Sequence, residues 1–363
     1  MTSEWLFPLL ICPRCRSGLS FEADGTDSDG YLVHRSASCQ EEYPVIGGVP
    51  RLLLGRHRSA VARRHADWFG RTARRVTMRS RWQQEGAASA VVEGFDYEWS
   101  KFKRVQTAEQ KRTFDLYFDL VPATAFDRDA LVLDAGSGAG RWAVEAASRG
   151  PRIVATDLGS SIELTRANTD PERVGCVQAD LHDLPFRDGA FDWAYSLGVL
   201  HHVDDPRRAL AQIVGAVRLG GLVLLYLYYA LDNRGIAYRA LHAPVTAARV
   251  VVSRLPRPAA MLFSGLAAAV LYWPLARSAR ALEAVGLAGI AASLPLTAYR
   301  RSSFESMRND SLDRFGTRLE RRFTRAQVAG LMTDAGLDAV RVAESLPFWH
   351  AIGSRPPALT RGS

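Results

Sequence analysis

The sequence predicts an α/β protein built on a doubly wound, mostly parallel β-sheet. Strand-like and helix-like segments alternate regularly between residues 131 and 229, and this order is typical of that fold class. A glycine-rich loop joins the first of these strands to the first helix. Residues 222–229 form an almost wholly apolar segment, as expected for a strand that helices cover on both faces.

The predicted elements follow one another along the chain. Strands are predicted at 131–133, 153–156, 174–178, 191–195 and 222–229, and helices at 141–148 and 162–168. A third helix starts at Pro206 behind Asp205, since proline at the first helical position after an aspartate cap is a start signal. Thr-x-x-Gln capping boxes at Thr107 and Thr324 predict helices at 107–121 and 324–336, and a last strand runs through 340–342.

Composition divides the 363 residues into five predicted parts. Residues 1–54 form a small unit that holds three of the four cysteines. Residues 55–120 form a helical linker and cap, and 121–230 form the α/β core. Residues 231–320 are too apolar for a loose loop, so they are predicted to be a helical lid over the ligand end of the sheet. Residues 321–363 complete the core.

Charge and hydropathy limit the partners of the chain. A net charge of +8 and a pI of about 9.6 suit a polyanion or an anionic membrane. Nine arginines interleaved with aromatic residues between Arg56 and Arg81 indicate either an RNA-binding helix or a solvated helix face. The excess of Arg over Lys reflects genome composition as readily as a binding patch, so nucleic acid is not the favoured partner.

The longest uncharged stretch covers 258–276 and contains Gly265 and Pro274. It only just reaches the length of a spanning helix, so we predict a buried or interfacial helix without a transmembrane span. Peripheral membrane contact stays open. The few cysteines and the lack of a basic segment at the start of the sequence predict a cytoplasmic location.

The glycine loop reads Asp-Ala-Gly-Ser-Gly-Ala-Gly over 134–140. Glycine lets the backbone approach a ligand closely, and the following helix N-terminus presents free N–H groups to an anion. Asp134 opens the loop, where its carboxylate would attract a cationic amino group and repel a pyrophosphate. The loop therefore favours the aminoacyl nucleoside S-adenosylmethionine (SAM) over a dinucleotide.

Two further aspartates follow predicted strands. Asp157 lies about twenty residues beyond the loop, where a carboxylate can accept the two ribose hydroxyls; its alternative role is to cap the next turn. Asp180 is placed to accept the adenine amino group, and its alternative is a solvated loop position.

These stretches resemble the class I SAM-dependent methyltransferases, in particular the group that contains the ubiquinone- and menaquinone-biosynthesis enzymes. The resemblance covers about 130–230 and is carried by 132–140, 155–158, 179–181 and 196–203. It implies a Rossmann-like seven-stranded sheet whose last strand is antiparallel. The expected SAM-binding residues are Asp134, Gly136, Ser137, Gly138, Asp157, Leu158, Asp180, Leu181 and Ser196. Tyr97 lies in an aromatic segment that resembles the segment folding over SAM in related methyltransferases. In that position its ring would make a cation–π contact with the sulfonium. The alternative is that Tyr97 packs under the first helix.

The acceptor is less well defined. Enzymes of this kind that methylate nucleobase or amide nitrogens usually carry Asn/Asp-Pro-Pro-aromatic after the fourth strand, whereas residues 196–199 read Ser-Leu-Gly-Val. The expected acceptor is therefore oxygen or carbon of an apolar small molecule. His201 could deprotonate a hydroxyl acceptor or serve only in packing. A tRNA or rRNA methyltransferase, and a cyclase or lyase that consumes SAM, are the alternatives.

The N-terminal cysteines predict a metal site. Cys12 and Cys15 have the spacing of a metal knuckle, and Cys39 precedes a Tyr-Pro strand. The segment resembles a small zinc-ribbon family known as an activator of tRNA methyltransferases, although only one cysteine of the second pair is present. His34 is the expected fourth ligand of a structural Cys3His zinc, and a ribbon that folds without metal is the alternative. Cys176 is predicted to be a buried apolar residue.

Overall fold

A computed structural model describes residues 4–25, 28–34, 39–83, 108–232, 235, 248–316, 321–345 and 349–357. The strands are β1 (Leu19–Ala23), β2 (Gly30–His34), β3 (Glu42–Ile46), β4 (Val49–Leu52), β5 (Leu131–Ala135), β6 (Arg152–Asp157), β7 (Val174–Ala179), β8 (Phe191–Leu197), β9 (Val217–Tyr226), β10 (Asp338–Val342) and β11 (His350–Ser354). The helices are α1 (Arg58–Arg64), α2 (Ala66–Phe69), α3 (Ala73–Gln83), α4 (Ala108–Tyr117), α5 (Arg141–Ser148), α6 (Ile162–Asn168), α7 (Pro206–Ala216), α8 (Arg257–Ala267), α9 (Trp273–Ala284), α10 (Ala288–Ser293), α11 (Phe304–Gly316) and α12 (Arg325–Asp334).

The core sheet has the predicted architecture. Its strands lie in the order β7-β6-β5-β8-β9-β11-β10. Strands β5 to β9 pair in parallel, and β11 runs antiparallel to β9. The direction of the strand order reverses at β5, and in open α/β sheets ligands bind above such a switch point. The carboxyl end of β5 leads directly into the glycine loop, so the fold places this loop at the expected ligand position.

Four N-terminal strands extend this sheet to eleven. Strands β1 to β4 form an antiparallel meander, and β4 pairs in parallel with β7 through Arg51 opposite Gln178 and Leu52 opposite Ala179. The segment predicted as a small N-terminal unit is thus continuous with the core sheet. Val49 and Leu52 are buried, because β4 is covered on both faces once it joins β7.

The local helix signals were mostly correct. Helices α5 and α6 have the predicted bounds, and Asp205 caps α7 by accepting from the backbone N–H groups of Arg207 and Arg208. The capping box at Thr324 forms. Thr107 lies outside the described residues, and the Gln110 side chain donates to the Arg141 carbonyl. Strand β9 begins five residues before the prediction because α7 leads into it without a loop.

The arginine-rich segment folds into α1 to α3 and packs on the N-terminal strands. Trp68, Phe69 and Trp82 are buried in a cluster with Tyr31. Arg58 pairs with Glu41 at 2.6 Å and Arg75 pairs with Asp24 at 2.8 Å. Arginines of this segment therefore serve the packing of the chain itself.

The insertion after β9 is helical, as predicted. Helices α8 and α9 are joined by a π-helical turn at Ala268–Tyr272 and pack on α11 through a cluster that includes Tyr272, Met307 and Phe315. The continuous helix Pro258–Ala284 has 27 residues and a mean hydropathy of 1.7 over its most apolar window, of which 28% is buried. By length and composition it could cross a membrane. Of the two predicted alternatives, a buried or an interfacial helix, the buried one is excluded because one face is exposed.

A buried ion-pair network holds the N-terminal strands to the core. The Arg51 side chain is 1% exposed, donates to Gln178 at 2.9 Å and lies 3.3 Å from the Glu163 carboxylate. Arg64 and His65 each approach the same carboxylate at 2.9 Å. Burial alone would raise the pKa of Glu163, but these three partners lower it to about 2.

We predict that Glu163→Gln destabilises the protein by about 3–5 kcal/mol, because it leaves the Arg51 charge buried without its counter-ion. The folded-state pKa of Glu163 lies below its ordinary value of 4.5. The contribution of ionised Glu163 to the free energy of unfolding is therefore complete above about pH 4.5 and is lost as the pH falls toward about 2. Urea unfolding of the parent and the variant across this pH range measures the difference in their free energies of unfolding.

Asp334→Asn is the matched control, since it removes an exposed pair with Arg207 and should cost less than about 1 kcal/mol. Equal stabilities of the parent and the Glu163→Gln protein at pH 7 would contradict the assignment.

Candidate functional site

The glycine loop requires glycine at its three positions. Gly136, Gly138 and Gly140 have φ angles of +91°, +55° and +80°, a region that other residues adopt only with strain. A Cβ atom on Gly136 would lie 2.5 Å from Val199, and one on Gly140 would lie 2.7 Å from Thr165. The loop is thus packed closely against its neighbours at the carboxyl end of β5, with Gly136 partly exposed.

Asp134 lies beneath this loop with 1% of its surface exposed. Among the described residues, its Oδ2 atom has no hydrogen-bond partner. Burial raises the pKa of Asp134 to about 8, against the opposing effect of the neighbouring Tyr195 hydroxyl. An unpaired carboxylate oxygen in a buried position is costly, and a cationic amino group would satisfy it. The residues present therefore fit the aminoacyl end of SAM.

Asp157 joins the end of β6 to the loop. Its Oδ2 atom accepts from the Gly138 backbone N–H at 2.9 Å, and its Oδ1 atom accepts from Gly159 at 2.8 Å. These contacts correspond to the turn-capping alternative.

Asp180, directly after β7, has a carboxylate that two histidine rings approach. Its Oδ1 atom accepts from the His182 backbone N–H at 2.9 Å and lies 2.7 Å from His182 Nδ1. His57 Nε2 lies 3.5 Å from Oδ2. The hydrogen bond to Asp180 raises the pKa of His182, whereas burial lowers the pKa of His57. Sequence reasoning missed both histidines, and His57 could not be found because it comes from the arginine-rich segment.

The remaining predicted SAM-binding residues flank these groups. Leu181 and Ser137 are buried, and Leu158 is half-buried against the α1–α3 cluster. The Ser196 hydroxyl is buried and donates to the Ala135 carbonyl at 2.8 Å. Tyr97 lies outside the described residues. The structure thus gathers the described members of this set at one edge of the sheet.

An aromatic wall continues from this edge along the end of β9. The His201 ring is fully buried and stacks on Tyr228 with 3.9 Å between centroids. Tyr228 neighbours Tyr226, and Tyr226 meets Tyr117 edge to face at 4.8 Å. We call His201, Tyr228, Tyr226 and Tyr117 the aromatic wall. The tyrosines were missed, although their alternation at the end of an apolar strand was visible in the sequence.

Helix α11 of the insertion lies close to this wall. Arg314 pairs with Asp310 at 3.4 Å, and the Tyr272 hydroxyl lies 3.5 Å from the same carboxylate. Burial, the adjacent Tyr117 and the charge of Asp310 raise the pKa of Tyr226, so the acidic side chain of α11 acts on the end of β9. The insertion therefore lies near the aromatic wall.

Arg300, Arg301, Arg308 and Arg314 flank Phe304 and Phe315 in the sequence, a pattern that predicts either the binding of an anionic substrate group or a place on a solvated helix. Arg300 and Arg301 both pair with Glu283, at 3.0 and 3.1 Å. Arg314 pairs with Asp310, so these three arginines each have an acidic partner within the chain.

The predicted metal ligands come together at the N-terminus. Donor atoms of Cys12, Cys15, His34 and Cys39 lie within 4.8 Å of one another, and Cys15 Sγ is 3.7 Å from His34 Nδ1. Ligand atoms of a tetrahedral zinc are about 3.6 Å apart, from Zn–S and Zn–N distances of about 2.3 and 2.0 Å. The four residues fit a zinc ion. Cys176, by contrast, is buried in the core as predicted.

Comparison with known proteins identifies the central segment. Residues 133–225 match a family described as a methyltransferase domain. The O-methyltransferase rstn1 of Aspergillus nomiae is 36% identical over 99 residues, which are 26% of this chain and 44% of that protein. The demethylmenaquinone methyltransferase of Clavibacter sepedonicus is 31% identical over 96 residues, 26% of this chain and 39% of that protein.

The tRNA U34 carboxymethyltransferase of Syntrophotalea carbinolica is 30% identical over 99 residues, 26% of this chain and 31% of that protein. The chain thus covers less than half the length of these relatives. A chain from the complex of the Haloferax volcanii Trm112 activator with a methyltransferase gives a TM-score of 0.41 at 14% identity, over 72% of this chain and 97% of that chain. A SAM-dependent methyltransferase from Thermotoga maritima gives 0.39 at 14%, over 72% and 99%. The central segment matches a methyltransferase domain and forms a Rossmann-like sheet, in agreement with the resemblance.

We predict that SAM binding at pH 7 releases a proton from Asp134. With a pKa of about 8 this carboxyl is mostly protonated at pH 7, and an adjacent ammonium group favours its ionised form. The affinity for SAM therefore rises with pH up to about 8. Titration calorimetry in buffers of different ionisation enthalpy measures the release, which should approach one proton.

Two controls isolate this group. The Asp134→Asn variant, and methylthioadenosine as a ligand without the amino group, should release no proton. An unchanged proton release in the variant would show that another residue binds the amino group.

For the metal site we predict one zinc per chain in protein purified without chelator. Chelation should lower the stability by about 4 kcal/mol where the metal is present at 1,000 times its Kd. Cys15→Ser should lose the zinc, whereas the control Cys176→Ala, outside the cluster, should keep it. Metal analysis that finds no zinc in the parent protein would contradict the prediction.

Proposed function

We propose that this protein transfers a methyl group from SAM to an oxygen or carbon atom of an apolar small molecule. The observation that carries the proposal is the buried Asp134 carboxyl, with an unpaired oxygen beneath three glycines in left-handed conformations. That arrangement favours an ammonium-bearing ligand at the switch point of the sheet. It lies inside the segment that matches the methyltransferase domain.

Each donor-binding residue has a defined task in this proposal. The N–H groups at the start of α5 bind the carboxylate of SAM, since helix N-termini favour anions, and Asp134 binds its ammonium group. Asp157 accepts the ribose hydroxyls and Asp180 accepts the adenine amino group. When bound, SAM supplies an electrophilic methyl group, and the chain orients the acceptor and excludes water.

The aromatic wall supports an apolar acceptor. Tyr226 and Tyr228 are half-buried at the end of β9, so their rings can present apolar surface to a bound molecule with their hydroxyls at its margin. The relatives named O-methyltransferase and demethylmenaquinone methyltransferase are consistent with acceptors other than nitrogen. The tRNA-modifying relative keeps RNA as the alternative, but Arg58, Arg64 and Arg75 are engaged in ion pairs within the chain.

His201 is the proposed base for a hydroxyl acceptor. Its ring is held between His202 at 4.0 Å and Tyr228 at 3.9 Å, so its orientation is fixed before the acceptor binds. In this role it takes the hydroxyl proton as the oxygen attacks the methyl group. A carbon acceptor that is already acidic would need less help from His201.

The zinc ribbon has a positioning role in the proposal. Its last strand, β4, pairs with β7, and Asp180 follows β7 directly. The segment that follows β4 carries His57 to within 3.5 Å of Asp180. A zinc ion that fixes the ribbon would thereby fix the groups around the adenine position.

The test uses SAM carrying a trideuterated methyl group and an organic-solvent extract of the source cells. We expect S-adenosylhomocysteine to accumulate together with an extract component that gains one labelled methyl group. His201→Asn should lower kcat by about 100-fold or more while SAM affinity stays unchanged, if the acceptor is a hydroxyl.

Asp134→Asn serves as the control with weakened donor binding, and it should form less S-adenosylhomocysteine than the parent at the same SAM concentration. Label in the RNA fraction would support the RNA alternative. Formation of methylthioadenosine without S-adenosylhomocysteine would show that SAM is consumed without methyl transfer and would overturn the proposal.

A further inference from the structure

Exposed apolar side chains are concentrated in one part of the molecule. Among the described residues, twelve of the fifteen large hydrophobic side chains with high exposure lie between Val250 and Phe304. Contiguous exposed apolar surface on this scale marks an interaction site. The donor and acceptor sites described above do not account for it.

The helix Pro258–Ala284 is apolar on both of its faces. Ala260, Ala268 and Tyr272 are buried against α11. On the outer face Leu262, Leu266, Val270 and Trp273 are 67%, 56%, 75% and 38% exposed. The spacing of these four residues places them on one side of the helix. We call them the outer stripe.

The outer stripe is free of charge along its length and is flanked by cations. The sequence has no charged residue from 258 to 276 or from 284 to 299. Residues 248–304 contain seven arginines and one acidic residue, Glu283, which pairs with Arg300 and Arg301. Arg254 precedes the helix and Arg280 lies near its end, and both are exposed. An apolar strip bordered by arginines complements an anionic lipid surface.

We propose that the outer stripe docks this protein on the surface of an anionic lipid bilayer, with the helix lying in the plane of the interface. Trp273 stands at the end of the stripe, with the Arg277 guanidinium stacked on its ring at 3.9 Å, and Trp and Arg together suit the headgroup region. The exposed Val285, Leu287 and Ile290 follow directly in the chain and extend the apolar surface.

The packing of the helix argues for a flat orientation rather than a span. Tyr272 lies 3.5 Å from Asp310, which pairs with Arg314, and the Arg277 guanidinium donates to the carbonyls of Arg300 and Ser302. Insertion across the membrane would break these contacts and place Arg277 in the hydrocarbon. Docking of the outer stripe leaves them intact.

The test is flotation of the full chain with vesicles made of equal parts of phosphatidylcholine and phosphatidylglycerol. We expect the parent to float with these vesicles and to bind phosphatidylcholine vesicles more weakly. Val270→Glu should lower the partition coefficient by about tenfold or more, because it removes apolar burial and adds a like charge. Replacing Arg254 or Arg280 by Gln should lower it by about fivefold each, on the anionic vesicles only.

Val76→Glu is the matched control, since Val76 is an exposed valine on α3, and it should bind as the parent does. Equal binding by the Val270→Glu protein would overturn the proposal. So would membrane association that resists alkaline carbonate, which would indicate a span, or a dimer that Val270→Glu dissociates, which would assign the stripe to a second copy. Flotation needs no turnover, so its outcome is independent of the proposed methyl transfer.

Discussion

The parallel pairing of β4 with β7 is the contact on which the arrangement of the whole chain depends. It converts a ribbon and a Rossmann-like core into one sheet of eleven strands. The pairing is short, and the Arg51–Glu163 network reinforces it from the buried side. Because Asp180 directly follows β7, the same contact decides what surrounds this carboxylate. A zinc ion bound to the ribbon would then influence the proposed adenine position through backbone pairing alone.

The buried Asp134 carboxyl, which the proposal assigns to donor binding, carries a desolvation cost. Burial disfavours the charge of Asp134 and raises its pKa from 3.8 to about 8. The folded protein therefore becomes less stable as the pH rises from about 4 to about 8, because the buried carboxyl must ionise. In the proposed donor site, a ligand that brings its own positive charge would remove this cost and would thereby be favoured over a neutral or anionic ligand.

The sequence predicted the central fold because its signals are local. Alternating apolar segments, the Asp205–Pro206 start and the Thr324 capping box depend on neighbouring residues, and the structure confirms them. The joining of the ribbon to the core was not visible, because β4 and β7 are more than one hundred residues apart. His57 and Tyr117 were missed for the same reason, since each depends on which distant segment packs beside it. The roles of the SAM-binding residues and of His201 stay predictions.

The helical insertion meets two demands that are hard to combine in one element. Its inner face needs apolar residues and the Tyr272–Asp310–Arg314 contacts to pack beside the aromatic wall. Its outer face would normally be polar, yet it carries the outer stripe. Since an apolar helix face in water brings no stability, the stripe is understandable only if something covers it. A bilayer would cover the stripe and would also concentrate apolar molecules beside the insertion. The docking proposal and the proposed apolar acceptor rest on different residues, yet both place the protein at a membrane surface.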